Sequence, residues 1–409
     1  MSPVATTESI RGAFPALARV HAGQPVAYFD GPGGTQVPQV VVDAMANYLL
    51  HHNANTAWAY PTSEETDTLI WSARTAMAAF VNGAPEEISF GNNMTTISFH
   101  VARALARGWS VGDEVIVTEL DHHANVAPWQ AVAQERGVVL KWLPFDLESS
   151  RLRLDLLPAL ISPRTRLLAI GAASNALGTI SDVATAAAIT HAVGALVYVD
   201  GVHYAPHVLP DVAALGCDFF ACSAYKFQGP HLGILWGRAS LLNALDVPKL
   251  EPAPSEAPDR LETGTQNHEG IVGAGAAVRW LASLSGATGP LRSQLASTYE
   301  ALRLREAALF ERLWNGIGVI PGVTRHGPPP GTPRTPTLAF TLAARPARDV
   351  AVHLASEGCF VSHGDYYAAT VARRLGVTEE GMVRIGAACY TTAAEIDRVV
   401  AGVAGFARA

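Results

Sequence analysis

The chain has little cysteine, no run of basic residues and no long apolar stretch. Its four cysteines in 409 residues, Cys217, Cys222, Cys359 and Cys389, show no metal-ligand spacing, so no metal site is expected and a reduced compartment is indicated. No segment reaches the uninterrupted apolar length of a membrane span. Residues 1–8 lack the basic and apolar regions of a secretory signal. The expectation is a soluble cytoplasmic protein with no membrane partner. The formal net charge is −7, and without a basic cluster nucleic acid is not an expected partner. Internal repeats and low-complexity tails are also missing. What is present in quantity is apolar surface. With 49% apolar residue types, the chain can build an ample core and exceeds one typical domain.

The stretch 218–230, Asp-Phe-Phe-Ala-Cys-Ser-Ala-Tyr-Lys-Phe-Gln-Gly-Pro, organises the rest. An apolar run ends in small and polar residues and delivers Lys226 to a turn. Burial among apolar neighbours disfavours the ammonium form, lowers its pKa and frees a nucleophilic amine able to form a Schiff base with an aldehyde. The alternative is an ordinary surface lysine in a loop. A second run, Leu196-Val197-Tyr198-Val199, ends in Asp200-Gly201. Lys226 follows Asp200 by 26 residues, room for one crossover between neighbouring parallel strands. An amine and a carboxylate then share one rim of a sheet, where open α/β folds place ligands. Pyridoxal phosphate requires that pair, a lysine for its aldehyde and a carboxylate for its ring nitrogen.

The order of elements supports such a sheet. A helix is expected over 8–20, a strand over 26–30 running into Gly31-Pro32-Gly33-Gly34, and a helix from Pro38 to about 50. The next helix, about 63–81, has Ser63 as its expected N-cap. From 88 to 237 strands and helices alternate, with polar residues collecting after each strand, the pattern of a mostly parallel sheet. Thr95 and Thr96 open a helix, either as phosphate-binding hydroxyls or as plain caps. His122 follows a strand, either to stack on a planar ring or as a structural histidine. Asn175 sits in a polar turn, positioned to bond a ring oxygen or to hold the turn itself. Beyond a Pro-rich linker at 326–333, strands at 337–342, 359–362 and 382–387 mix with helices as a second, smaller domain.

The motifs 95–96, 121–129, 174–179, 199–201, 223–230, 264–267, 383–386 and 390–397 are collinear, and together they resemble the class V aminotransferase superfamily, specifically its cysteine desulfurase branch. The resemblance implies the fold of PLP fold type I enzymes: an α/β chain with a large domain on a mostly parallel seven-stranded sheet and a smaller C-terminal α/β domain. The implied boundaries are 1–25 for an N-terminal segment packing with the small domain, 26–285 for the large domain and 286–409 for the small one. It implies that Lys226 carries the cofactor and moves the Cα proton, with Asp200 on the pyridine nitrogen and His122 stacked on the ring. Asn175 and His203 belong near the ring hydroxyl. Thr95, Thr96, Ser223 and Tyr225 surround the phosphate, where the family more often has histidine in place of Tyr225. Thr265 reaches the phosphate of a neighbouring subunit, giving a homodimer with shared sites. Arg384 clamps the α-carboxylate of a small amino acid, with Gly33 and Asn175 beside the substrate.

One departure bears on the reaction. The branch places a mobile cysteine after a glycine-histidine stretch, but residues 362–369 read Ser-His-Gly-Asp-Tyr-Tyr-Ala-Ala. The expected reaction is therefore a β-elimination or related C–S or Cβ–X cleavage that needs no persulfide cysteine. The alternatives are transamination, a desulfurase recruiting Cys359, and a non-catalytic protein on the same fold.

Overall fold

The computed structural model describes residues 4–408; residues 1–3 of the expected N-terminal segment and Ala409 lie outside it. Seven strands form the main sheet: β1 (Ile88–Gly91), β2 (Glu114–Thr118), β3 (Val139–Leu143), β4 (Thr165–Gly171), β5 (Leu196–Asp200), β6 (Phe219–Ser223) and β7 (Gly233–Gly237). Their spatial order is β1-β7-β6-β5-β4-β2-β3. Only β7 runs against its neighbours, pairing antiparallel with both β1 and β6. β5 and β6 are parallel neighbours, so Asp200 and Lys226 do lie at adjacent strand ends.

Strand side chains alternate between two cores. Val197, Val199, Phe220 and Cys222 join one buried cluster, while Tyr198, Phe219 and Ala221 join the other. With both faces covered, the strands read as continuous apolar runs. One cover includes α1 (Pro61–Val81) and, later in the chain, the helix His268–Ser283; the other includes α2 (Met94–Ala106) and α3 (Ala127–Arg136).

The smaller sheet is antiparallel, ordered β8 (Val323–His326), β9 (Thr337–Leu342), β11 (Met382–Gly386) and β10 (Ser362–Gly364). It packs on the helices α4 (Leu291–Gly318), α5 (Ala347–Ser356) and α6 (Ala393–Arg408). Residues 30–34 bridge the two parts, with Asp30 paired to Gly386. Arg11 reaches Glu395 at 2.9 Å, while Ile10 and Phe14 enter the core beneath the main sheet.

Several local expectations are corrected. The helix over 8–20 stops at Gly12 and resumes as a 3-10 turn at Pro15–Ala18, since proline restricts the residue before it and has no N–H to continue the ladder. The strand over 26–30 shrinks to Ala27–Tyr28. The helix from 38 unwinds into a wider π-turn at Tyr48–His52. Ser63 is no cap: α1 begins two residues earlier, at Pro61, and the Ser63 hydroxyl instead donates to the Asn55 carbonyl at 2.6 Å. The strand over 359–362 divides, Cys359–Phe360 pairing with Ala27–Tyr28 and β10 joining β11.

Candidate active site

The C-terminal ends of the parallel strands converge on one cavity, lined among others by Thr95, His122, Asn175, Asp200, His203, Ser223, Tyr225 and Lys226.

Lys226 closes the 3-10 turn Ala224–Lys226 directly after β6. Its ammonium donates to the carbonyls of Pro32 and, at 3.0 Å, of Gly33. The turn is stitched to that segment: Thr35 N–H donates to the Tyr225 carbonyl at 3.0 Å, and Gln228 N–H donates to Thr35 Oγ1 at 2.9 Å. Burial, assisted by the Arg384 charge, pulls the lysine down to about 8. The bland surface-loop alternative is thereby excluded, because the side chain is buried.

Asp200 accepts one hydrogen bond, from Val202 N–H at 2.9 Å. Burial pushes its carboxyl up to about 6. Behind it lies Asp121, from the same 121–129 motif as His122. Its carboxylate accepts from Thr118 Oγ1 at 2.7 Å, Asn125 Nδ2 at 2.7 Å and Gly171 N–H at 2.8 Å. It thus ties the end of β2 to the end of β4. Burial, with the Asp200 charge nearby, raises it to about 7.

His122 accepts at Nδ1 from Ala124 N–H at 3.0 Å, so its neutral ring carries the proton on Nε2. Burial and the Lys226 charge lower it to about 4, which keeps the ring neutral and fit for stacking. Ser223 Oγ accepts from Met94 N–H at 3.1 Å, placing it beside Thr95 at the start of α2. Tyr225 stacks on His231 at 4.9 Å.

Two buried polar atoms at the cavity have no partner, Asn175 Oδ1 and His203 Nδ1. Asn175 donates its amide to the Tyr366 carbonyl at 2.9 Å. His203 Nε2 is occupied by Thr335 and Thr337 hydroxyls at 3.0 and 3.1 Å. Unmet buried polar groups are costly unless a ligand meets them. An amine, a buried carboxylate, a neutral ring, two unmet acceptors or donors and a helix N-terminus with hydroxyls together fit pyridoxal phosphate.

Thr96 sits elsewhere, and Thr265, expected at the phosphate of a neighbouring subunit, lies outside this chain's own cavity. Thr96 is not a cap either: the N-cap is Asn93, whose Oδ1 accepts from Thr96 N–H at 2.9 Å and Thr96 Oγ1 at 3.0 Å, and Thr96 lines an adjacent cavity with His100 and Gln266. Thr265 lies on a third cavity with Trp71, Arg74 and Glu262.

Arg384, buried on β11, donates to Ser362 Oγ at 3.1 Å, the Asn175 carbonyl at 3.0 Å and Asp30 Oδ1 at 3.1 Å. Part of its donor fork is left for a second carboxylate. Gly33 packs under Asp30: a Cβ there would stand 2.3 Å from the Asp30 carboxylate. The Asp30 partnership was not legible beforehand, since the pair is 354 residues apart.

The family described as aminotransferase class-V matches residues 27–399. A cysteine desulfurase of Pectobacterium carotovorum is 34% identical over 414 residues, 97% of each chain, and one of Klebsiella pneumoniae is 35% identical over 418 residues, again 97% of each. Among solved structures, a cysteine desulfurase of Escherichia coli superimposes with TM-score 0.85 at 28% identity over 98% of both chains. The apo cysteine desulfurase of Thermococcus onnurineus gives 0.89 at 25% identity over 100% of both.

Proposed function

Because the chain belongs to the class-V aminotransferase family of pyridoxal-phosphate enzymes, among relatives of the cysteine desulfurases, we propose that it eliminates a group from Cβ of a small α-amino acid, by C–S or Cβ–X cleavage, without a persulfide cysteine. The observation that carries this reading is the state of the thiols. All four cysteines are buried, and burial raises the pKa of each, Cys217 to about 12 and the other three likewise upward. A protonated, buried thiol is a poor nucleophile. Cys359, the alternative sulfur acceptor, is held in the short strand beside Ala27.

When bound, pyridoxal phosphate supplies an aldehyde for amines and a cationic ring that draws electron density from Cα. Lys226, partly neutral near pH 8, takes the Cα proton at Nζ, and the Pro32 and Gly33 carbonyls hold the resulting ammonium. Asp200 would serve as the buried counter-charge to the cofactor's ring nitrogen. His122, which lines the cavity, would cover one face of the ring and exclude water from it. Arg384 orients the α-carboxylate with the donors that Asp30, Ser362 and Asn175 leave unused.

The site is read as completed in a homodimer, with Thr265 serving the neighbouring subunit. Support comes from the exposed apolar side chains around its cavity: Trp71 lines it, and the adjoining segment exposes Trp58 by 60% and Leu50 by 75%, a patch of the kind that marks association surfaces.

The test starts from the cofactor's visible absorbance, expected in the wild type and lost in Lys226→Ala. Release of pyruvate with the eliminated group, sulfide from L-cysteine for example, supports the lyase. Amino transfer to a 2-oxo acid identifies an aminotransferase instead. Sulfide release abolished by Cys359→Ser identifies a desulfurase. A spectrum indifferent to every amino acid makes the protein non-catalytic.

A further inference from the structure

Tyr366 and Tyr367 are consecutive non-glycine residues in the left-handed region, with φ of 57° and 58°. Bulky residues rarely adopt this conformation, and a pair persists only when its surroundings hold it there. Here the surroundings are the walls of the candidate site. The Tyr366 carbonyl accepts the Asn175 amide at 2.9 Å, and the Tyr367 carbonyl accepts His123 N–H at 2.7 Å. Tyr367 N–H donates to Asp365 Oδ1 at 3.0 Å. The Tyr366 hydroxyl donates to the Met382 carbonyl on β11. The Tyr366 ring lies against the Arg384 guanidinium, 4.2 Å from its carbon to the ring centroid.

One residue therefore touches both polar walls, Arg384 with its ring and Asn175 with its backbone carbonyl. Its ring backs the arginine, and its carbonyl fixes the Asn175 amide so that Oδ1, the atom without a partner, is the end left for the cavity. We propose that Tyr366 is a positioning residue that sets the carboxylate-recognising pole of the substrate site, holding Arg384 by cation–π contact and Asn175 by its left-handed carbonyl. The inference rests on the reading of Arg384 as the carboxylate clamp.

The experiment uses the cofactor-loaded protein and a ligand pair differing only in the carboxylate, L-serine and ethanolamine, with affinity read from the cofactor spectrum. Tyr366→Met removes the aromatic face and Tyr366→Leu does so with a different shape; Tyr366→Phe keeps the face and loses only the hydroxyl. Preorganisation of the guanidinium by a desolvated contact of this kind is equivalent to about thirtyfold in an equilibrium constant. Tyr366→Met or Tyr366→Leu should therefore weaken L-serine by about that factor and leave ethanolamine and cofactor retention as in the wild type. Tyr366→Phe should bind L-serine close to wild type. L-serine binding untouched in the Met or Leu variant overturns the proposal, as does an equal loss for both ligands. If neither of those variants folds, a Tyr366→Phe protein that loses L-serine and not ethanolamine also overturns it, since the ring face is intact. A wild type that takes up no cofactor defeats the functional reading and this inference together; a wild type that takes it up and fails only the variant comparison defeats the inference alone.

Discussion

Lys226 is one of three lysines in the chain; Lys141 and Lys249 keep part of their surface in solvent. Its neighbours Asp200 and Asp121 carry the clearest residue-scale consequence. Burial raises both carboxyls, to about 6 and about 7, whereas an unfolded aspartate titrates near roughly 3.9. Between about pH 4 and 7 the folded chain thus binds more protons than the unfolded one, so stability falls as pH rises through that window. The penalty is absent below about pH 4 and complete above about 7. Asp200→Asn removes its share while keeping the acceptor for Val202 N–H. In the cofactor-free protein the variant should melt higher than wild type at pH 7 and equally at pH 4. A variant melting lower at pH 7 would contradict a net burial penalty on this carboxylate. With cofactor present the order should reverse, because the cationic ring then stabilises the wild-type carboxylate.

Among the elements, α2 and β7 meet at Gly233. A Cβ there would stand 2.5 Å from the Asn93 carbonyl carbon and 2.8 Å from its Cα, both backbone atoms that cannot swing aside. The N-terminus of α2, with Thr95 and the Ser223 contact, sits where it does because β7 has no side chain at that point. Gly233→Ala should destabilise the fold by about 1–3 kcal/mol, the usual effect of overpacking, and weaken pyridoxal phosphate retention. Denaturant unfolding and cofactor dialysis read the two effects. Gly405→Ala in α6 is the control: its Cβ meets nothing within 4 Å, and removing a helix glycine should stabilise by roughly 0.5–1 kcal/mol. Equal behaviour of the two variants would dismiss the close approach at Gly233.

At the scale of the whole molecule, the site spans both sheets. Lys226, Asp200 and His122 belong to the rim of the parallel sheet, Arg384 to the antiparallel one, and residues 30–34 join them. The proposed homodimer extends the same logic across two chains. Leu50→Asp with Trp58→Asp should turn the protein into a monomer in sedimentation, with loss of cofactor retention, while Thr265→Ala should weaken cofactor retention and leave the dimer intact. A wild type that sediments as a monomer at every concentration would remove Thr265 from the site.

The sequence by itself determined the mostly parallel sheet and the polar rim at its strand ends. Apolar runs such as 196–199 and 219–222 mark strands buried on both faces, and the polar residues that follow them mark the one edge where parallel strands all end. Asp200, Lys226, His122 and Asn175 were legible for that reason, whereas Ser223 was picked out by the family resemblance alone. Tertiary structure decided what no local pattern encodes. Thr96 turns back on its own cap, Asp121 becomes a buried tie between two strands, Asp30 meets Arg384, and Tyr366 backs that arginine from a left-handed turn. Each depends on which element packs against which, a balance of burial and hydrogen bonding between residues far apart in the chain, and adjacency along the sequence carries no record of it.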